Sequence, residues 1–440
     1  MKQHAYIIKG GRPISGEITC HGAKNFATKA MVASLLSKDL TRLTNVPPIG
    51  DIEITRQMLE SIGVRFSWES STGLNIDPSQ LNSYEVELPH SRSNRIPILL
   101  LSALLQRFEK VKVPVLGGCS IGLRGVDFHV EAIRNFGAEV RENKDGFEAI
   151  RKGPLRGTKI KLPYPSVGAT ESFLYLSVLA EGTSVISNAA IEPEIIELIT
   201  MLRSMGAIIY TDSGREFRVE GVTELSGCNM HILGDRIEAA SWASLACASD
   251  GEIIVKGAKP EILGNFLSYY RKVGGGFDLL DQQTIKFYKA KPLVPAVVET
   301  DVFPGFSTDW QQPFAILLTQ ANGISVVHDT VYENRFGYLK ALAQLGAQVQ
   351  TTTHCLGELS CRFKGMNHHH SAVINGPAKL RSKNIHIDIP DLRAGLAYVI
   401  AAAIAEGTTI LTGIHNIERG YGNIIPRMSK INLEIQKKLL

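Results

Sequence analysis

One pattern of hydrophobic and polar positions recurs along the chain: a short amphipathic helix that ends in glycine and runs into a strand. It is read at residues 58–64, 132–138, 201–207, 270–275 and 342–347, with Gly63, Gly137, Gly206, Gly274 and Gly346 at the end of each helix. A worn sixth copy at 428–433 has Asn432 in that place, and both residue types accept the left-handed turn that stops a helix. A second pattern precedes each of these, a helix apolar nearly all round followed by a turn and a β-branched strand, at 30–46, 98–113, 173–186, 241–255, 314–327 and 396–411. Helices without a polar face belong inside a layer, so each unit contributes one buried helix, one surface helix and several strands. The repeat length, roughly 70 residues, exceeds the roughly 20–50 residues usual for solenoids. Six βαβαββ-type units therefore predict an α/β protein of two globular domains, each with three-fold internal repetition.

Bulk properties narrow the class. The 440 residues exceed one ordinary core, and 44% apolar with 20% charged residues is ordinary for a globular protein. The longest apolar stretch, 392–404, contains Arg393 and is too short to span a bilayer. With no apolar leader at the N-terminus, a cytoplasmic, non-membrane protein is expected. The six cysteines show no paired or metal-type spacing, and the adjacent His368, His369 and His370 cannot converge on one ion from a regular element, so no metal and no cofactor are expected. A net charge of +4 does not suggest nucleic acid, but it suits an anionic small substrate.

Polar residues gather just ahead of the six buried helices. They include Lys24-Asn25, Asn94-Arg95, Ser166 to Glu171, Asp235-Arg236, Ser307 to Asp309 and Asp391 to Arg393. Ser307, Thr308, Asp235 and Asp391 read as N-caps. Capping does not account for Lys24, Arg95, Arg236 and Arg393, because a cation is disfavoured beside the positive end of a helix dipole unless an anion neutralises both. Convergence of these helix ends would build a polyanion site. A further candidate lies in the loop 114–125, where Gly117, Gly118, Gly122 and Gly125 surround Cys119, with Arg124 close behind. Such a cysteine suits a proton donor or nucleophile, whereas Cys247, inside an apolar helix, reads as core.

Taken in order, Gly22 to Asn25, Gly117 to Cys119, Arg124 to Asp127, Ser166 to Thr170, Thr308-Asp309, Glu333 to Arg335, Asp391 to Ala394 and Glu418 to Tyr421 resemble the motif series of the enolpyruvyl transferases that act on UDP-N-acetylglucosamine. The resemblance runs from about residue 8 to about residue 425. It implies a two-domain inside-out α/β barrel, with residues 1–21 plus 235–440 in one domain, 22–234 in the other, and the active site in the cleft between them. The implied substrates are phosphoenolpyruvate and UDP-N-acetylglucosamine, and a monomer is expected. Lys24, Arg124, Arg393 and Arg419 match the cations of the phosphoenolpyruvate pocket. Cys119 matches the loop cysteine that protonates the enol carbon and is alkylated by fosfomycin, and Asp309 matches the carboxylate beside the acceptor hydroxyl. Asn25, Arg95, Arg124, Gly125, Val126, Asp127, Ser166, Val167, Gly168, Asp309 and Val331 match the UDP-sugar contacts. Gly125 departs from a proline usual in that family, and Pro426 and Asn432 depart near the end. Two other readings remain at this stage, a paralogue acting on another uridine nucleotide and a catalytically silent UDP-sugar-binding paralogue.

Overall fold

The computed structural model describes residues 3–89, 94–117, 125–212, 214–390 and 395–440. They form two compact bodies. One takes the first twenty-one residues together with Gly234–Leu440, and the other holds most of residues 22–233.

Among the described residues six small sheets account for the strands, three in each body; one is an antiparallel sheet of Lys110–Pro114, Gly146–Arg151 and Ala138–Asn143, and the other five share one plan. A strand runs parallel to its neighbour, which pairs antiparallel with a third, which pairs antiparallel with a fourth. In one sheet Lys159–Lys161 lies parallel to Thr183–Ser187, followed by Phe217–Glu220 and Ile208–Thr211. The N-terminal segment serves two sheets. His4–Gly10 lies between Glu406–Thr412 and Glu434–Leu439, while Ser15–Thr19 is the parallel strand beside Glu252–Lys256. In the other body, Asn229–His231 plays the same part beside Thr41–Thr44. The sixth and fourth units are thus completed by the chain's first residues, and the first unit by a strand nearly 200 residues downstream.

Inside each body lie the apolar helices. Ile96–Leu104 and Gln311–Leu318 are buried at every position, and Lys24–Ala33, Val167–Ser177, Arg236–Ala248 and Gly395–Ile404 at most of theirs. Helices Arg236–Ala248, Gln311–Leu318 and Gly395–Ile404 pack on one another, as do Ile96–Leu104 and its neighbours Lys24–Ala33 and Val167–Ser177. Helices that lack a polar face are accommodated because sheets and amphipathic helices cover them. The fold is inside-out in this sense, and the six sheets stay separate instead of joining into one closed wall.

The recurring glycine is the stop signal of each surface helix. Gly63, Gly137, Gly206, Gly274 and Gly346 have φ of 97°, 96°, 107°, 110° and 102°, and Asn432 has φ of 59°. In four copies the next residue's N–H reaches back five residues to a helix carbonyl: Val64 to Leu59, Ala207 to Leu202, Ala347 to Leu342 and Leu433 to Met428, at 2.9–3.1 Å. This is the closing hydrogen bond of a left-handed helix cap, and asparagine adopts it at modest cost. In the sixth unit the surface helix is split into His415–Gly420 and Ile424–Ser429. Pro426 is tolerated because first-turn N–H groups have no helical partner to lose. No described helix is long and apolar enough to cross a membrane.

Candidate active site

In the body formed from residues 22–233, Lys24 is the first residue of its helix, which has no side-chain cap. Its Nζ lies 2.7 Å from Asp51 Oδ2, a carboxylate only 8% exposed in the first turn of Gly50–Glu60. The cation beside a helix start is therefore balanced by a protein carboxylate. Asp51 also accepts, through its carbonyl, from Thr55 Oγ1 at 2.7 Å, and Thr55 accepts from Asn94 Nδ2 at 3.3 Å. Asn94 Oδ1 accepts from Ile96 N at 3.0 Å, so it performs the capping at the start of Ile96–Leu104 while Arg95 occupies the cap position half-buried. Lys24 is thus joined through one chain of polar contacts to Asn94, the neighbour of Arg95 in sequence. Asn25 follows Lys24 and is half-buried.

Gly125 and Asp127 are exposed, Val126 is half-buried, and Asp127 opens the helix Asp127–Asn135. That helix carries His129, which sequence reasoning did not single out. Its ring lies so close to Gly168 that a β-carbon there would come within 2.8 Å of both Cε1 and Nε2. Across the ring, Nδ1 is 2.8 Å from Ser172 Oγ, one turn along the same helix as Gly168. Ser166 caps that helix, accepting from Ala169 N at 3.4 Å, and Val167 is its first residue. His129 therefore brings the 125–127 segment against the 166–168 helix start. No sequence spacing signals this contact; only the glycine at 168 hinted that something approaches.

In the other body the candidate residues rest on a buried network. Asp309 is 13% exposed and its Oδ1 accepts from Arg335 Nη1 at 2.7 Å, while the Arg335 side chain has no exposure. The same Nη1 donates to Thr308 Oγ1 at 2.9 Å, and the Gln312 amide oxygen, turned toward Arg335, accepts from Nη2 at 2.8 Å and Nε at 3.1 Å. Thr308 in turn donates to Asp329 Oδ2 at 2.6 Å. Fully buried Asp329 also accepts from Gln311 Nε2 at 2.7 Å, Thr300 Oγ1 at 2.8 Å, Val331 N at 2.8 Å and Tyr332 N at 3.0 Å. Val331 is thereby held by its backbone to the carboxylate that anchors Thr308. A buried carboxylate needs such donors, because an unpaired charge in the interior is costly.

This arrangement corrects the N-cap assignment for unit five. Ser307 Oγ accepts from Asp309 N at 3.3 Å and Thr308 faces Asp329, while the helix Gln311–Leu318 starts from Trp310 without a side-chain cap. Asp235 does cap its helix, accepting from Ile237 N and Glu238 N at 2.8 and 3.2 Å, and the Arg236 guanidinium lies over the rings of Trp310 and Phe303 at 5.2 and 5.8 Å. Aromatic faces are a favourable place for a guanidinium. Arg419 sits half-buried on His415–Gly420, next to Glu418, which accepts from Tyr6 and Lys437. Cys119, Arg124, Arg393 and the Asp391 cap lie outside the described residues. Cys247 is core, 1% exposed, its thiol pushed up to about 12 by burial.

Among the described residues one group could ligate a metal, formed by His328, Cys355, Cys361 and His370. It is distinct from the residues matched to substrate.

Comparison with known proteins bears on the whole chain. The pattern of the EPSP synthase (3-phosphoshikimate 1-carboxyvinyltransferase) family matches residues 8–428. The UDP-N-acetylglucosamine 1-carboxyvinyltransferase of Protochlamydia amoebophila (strain UWE25) is 45% identical over 435 residues, 97% of this chain and 93% of that one. Its namesake from Chlamydia pneumoniae is 45% identical over 438 residues, 99% and 95% of the two chains. Among solved structures, the enolpyruvyl transferase NikO from Streptomyces tendae superposes with a TM-score of 0.86 over 100% of both chains at 19% identity, a likeness of fold.

Proposed function

Because this chain belongs to the EPSP synthase family of carboxyvinyltransferases, we propose that it transfers the enolpyruvyl group of phosphoenolpyruvate to the 3-hydroxyl of UDP-N-acetylglucosamine, releasing phosphate. The observation that carries the choice of acceptor is the 45% identity, over 97% of the chain, to a relative named for that reaction.

The chemistry runs by addition and elimination. The acceptor hydroxyl oxygen attacks the central carbon of phosphoenolpyruvate and loses its proton, while the methylene carbon gains one and becomes a methyl group. The resulting phospho-ketal then returns a methyl proton and breaks its carbon–oxygen bond to phosphate, leaving the enol ether. Asp309 takes or orients the hydroxyl proton, and Arg335 and Thr308 keep its carboxylate aimed. Cys119 supplies the proton to the methylene carbon. Lys24, Arg124, Arg393 and Arg419 neutralise the phosphate and carboxylate of phosphoenolpyruvate as charge shifts toward the leaving phosphate. In this reading substrate phosphoenolpyruvate competes with Asp51 for Lys24. Asn25, Arg95, the 124–127 segment, the 166–168 helix start and Val331 hold the UDP-sugar, backbone N–H groups at the Ser166 cap suiting its diphosphate. The chain would act as a cytoplasmic monomer at the first committed step of peptidoglycan synthesis, on which cell shape, cell cycle and division depend, and fosfomycin would alkylate Cys119.

Phosphate release from phosphoenolpyruvate, measured with and without UDP-N-acetylglucosamine and after fosfomycin, tests this. Release that requires the UDP-sugar and stops with fosfomycin is expected. Tight UDP-sugar binding without release would replace the reading by a silent paralogue, and release only with another uridine nucleotide would replace the acceptor.

A further inference from the structure

We propose that His328, Cys355, Cys361 and His370 form a tetrahedral zinc site that fastens the 353–370 connection to the Gly323–Asp329 strand. One ligand atom from each of the four lies within 4.8 Å of all the others. Both histidines are completely buried and both cysteines are half-buried.

Hydrogen-bond accounting sets the protons on both rings. Ser371 Oγ donates its single proton to the His354 carbonyl at 2.7 Å and accepts from Leu356 N at 3.3 Å. Toward His328 Nδ1, 2.7 Å away, it can therefore only accept, so Nδ1 carries the hydrogen and Nε2 the lone pair. That Nε2 is buried and has no hydrogen-bond partner. His370 Nδ1 lies 2.7 Å from the His368 carbonyl, which only accepts, so its Nε2 also carries a lone pair and points to Cys355 Sγ at 3.3 Å. Ligands to a tetrahedral zinc, one sulfur and one nitrogen, stand about 3.5 Å apart from bond lengths of about 2.3 and 2.1 Å. The distal nitrogens are thus held by a hydroxyl and a carbonyl, the partners that orient metal-bound imidazoles.

A buried acceptor left without a donor is costly. The Cys355 thiol can serve one imidazole nitrogen by donating to it, but not both; a divalent ion serves all four groups at once. Two thiolates and two neutral imidazoles around a dication carry no net charge, which fits a partly buried place. Sulfur and imidazole donors select zinc over the oxygen-seeking calcium and magnesium.

The surrounding segment explains the need. The connection between Gln348–Thr352 and Ser371–Gly376 is longer than the ~12–15 residues that usually separate elements without structure of their own. Its Leu356, Leu359 and Met366 are exposed, and only Phe363 is buried among its large apolar side chains. Without a core of its own, such a segment gains order from an ion, as small metallo-domains do. The fastened segment carries Arg362, which donates to the Val331 carbonyl.

The test uses the untagged full chain, produced with zinc in the medium and purified under reducing conditions. Elemental analysis after desalting is expected to find about one zinc per chain, and exchange into cobalt should give intense visible bands with thiolate charge transfer. The Cys355→Ser/Cys361→Ser double variant should lose the ion, while His369→Ala should keep it. A chelator should lower the melting temperature of the wild-type chain and speed proteolysis within 353–370, with zinc restoring both. Wild-type protein containing far less than one zinc per chain, without cobalt charge transfer, or carrying a Cys355–Cys361 disulfide under the same reducing conditions, would overturn the proposal. These wild-type measurements decide it even if the double variant does not fold.

Discussion

Arg335, whose side chain is wholly buried, donates to Asp309 Oδ1 at 2.7 Å and so holds the orientation of the carboxylate proposed to meet the acceptor hydroxyl. Its other donors are taken by Thr308 and Gln312, so the guanidinium is fixed on several sides and the fork geometry is transmitted to Asp309.

Removing the carboxylate charge by Asp309→Asn should lower kcat by roughly 10²–10⁴-fold, the span of a general base, with a smaller change in KM. Arg335→Lys should keep the charge but lose the fork, and misplacement of Asp309 by an ångström costs about 10²-fold. Steady-state phosphate release at saturating substrates measures both. Equal activity of Arg335→Lys and wild type would show that Arg335 does not position Asp309.

Gly168→Ala places a methyl group 2.8 Å from two atoms of the His129 ring, which is held on its far side by Ser172. The ring must move, at a cost of about 1–3 kcal/mol as for other overpacked cores. Because His129 links the 125–127 and 166–168 segments, UDP-sugar affinity should fall along with stability. Calorimetric titration and thermal melts check the pair of effects, and the Gly168→Ala/His129→Ala double variant should recover part of the stability.

Arg427 pairs with nearly fully buried Glu238, donates to the Thr19 carbonyl at 2.8 Å and lies 5.5 Å over the Trp242 ring. Arg427→Met leaves Glu238 buried without its cation and should cost about 3–5 kcal/mol. The Arg427→Met/Glu238→Gln double variant should cost less than the sum of the two singles, as urea denaturation will show.

His21 lies between these groups, 3.2 Å from Arg427 Nη1, and burial, reinforced by Arg427 and opposed by Glu238, holds its imidazole below the usual value of 6.5. The native state therefore stays neutral in mild acid where the unfolded chain binds a proton. The stability due to the neutral ring is fully present above the unfolded value and falls as the pH drops below it toward the lowered native value. Urea midpoints should thus decline between about pH 7.5 and pH 5.5 more steeply in wild type than in His21→Gln. Parallel declines would show that another group sets the slope.

Much of the molecule was legible from short stretches of residues. The six helix stops at Gly63, Gly137, Gly206, Gly274, Gly346 and Asn432 were readable because a left-handed cap is a preference of one residue and its immediate neighbours. The buried helices were readable because a segment apolar on every side can satisfy itself only inside. The Asp235 cap followed from the same local chemistry. Ser307 and Thr308 misled, since hydroxyls that look like caps can be claimed by a buried carboxylate 21 residues away, as Asp329 claims Thr308.

The sequence by itself determined the repeat, the element types, their ends and the residues matched to the family, all properties of adjacent positions. Only the tertiary structure decided which distant side chains meet: Lys24 with Asp51, His129 with Gly168, Arg335 with Asp309, and His328 with Cys355, Cys361 and His370. It also decided that the first strand would pair Tyr6 with Leu411. The physical reason is that local backbone preference acts over a few bonds. Partner choice among charges, imidazoles and thiols depends instead on sheet register and helix packing, which join residues hundreds of positions apart.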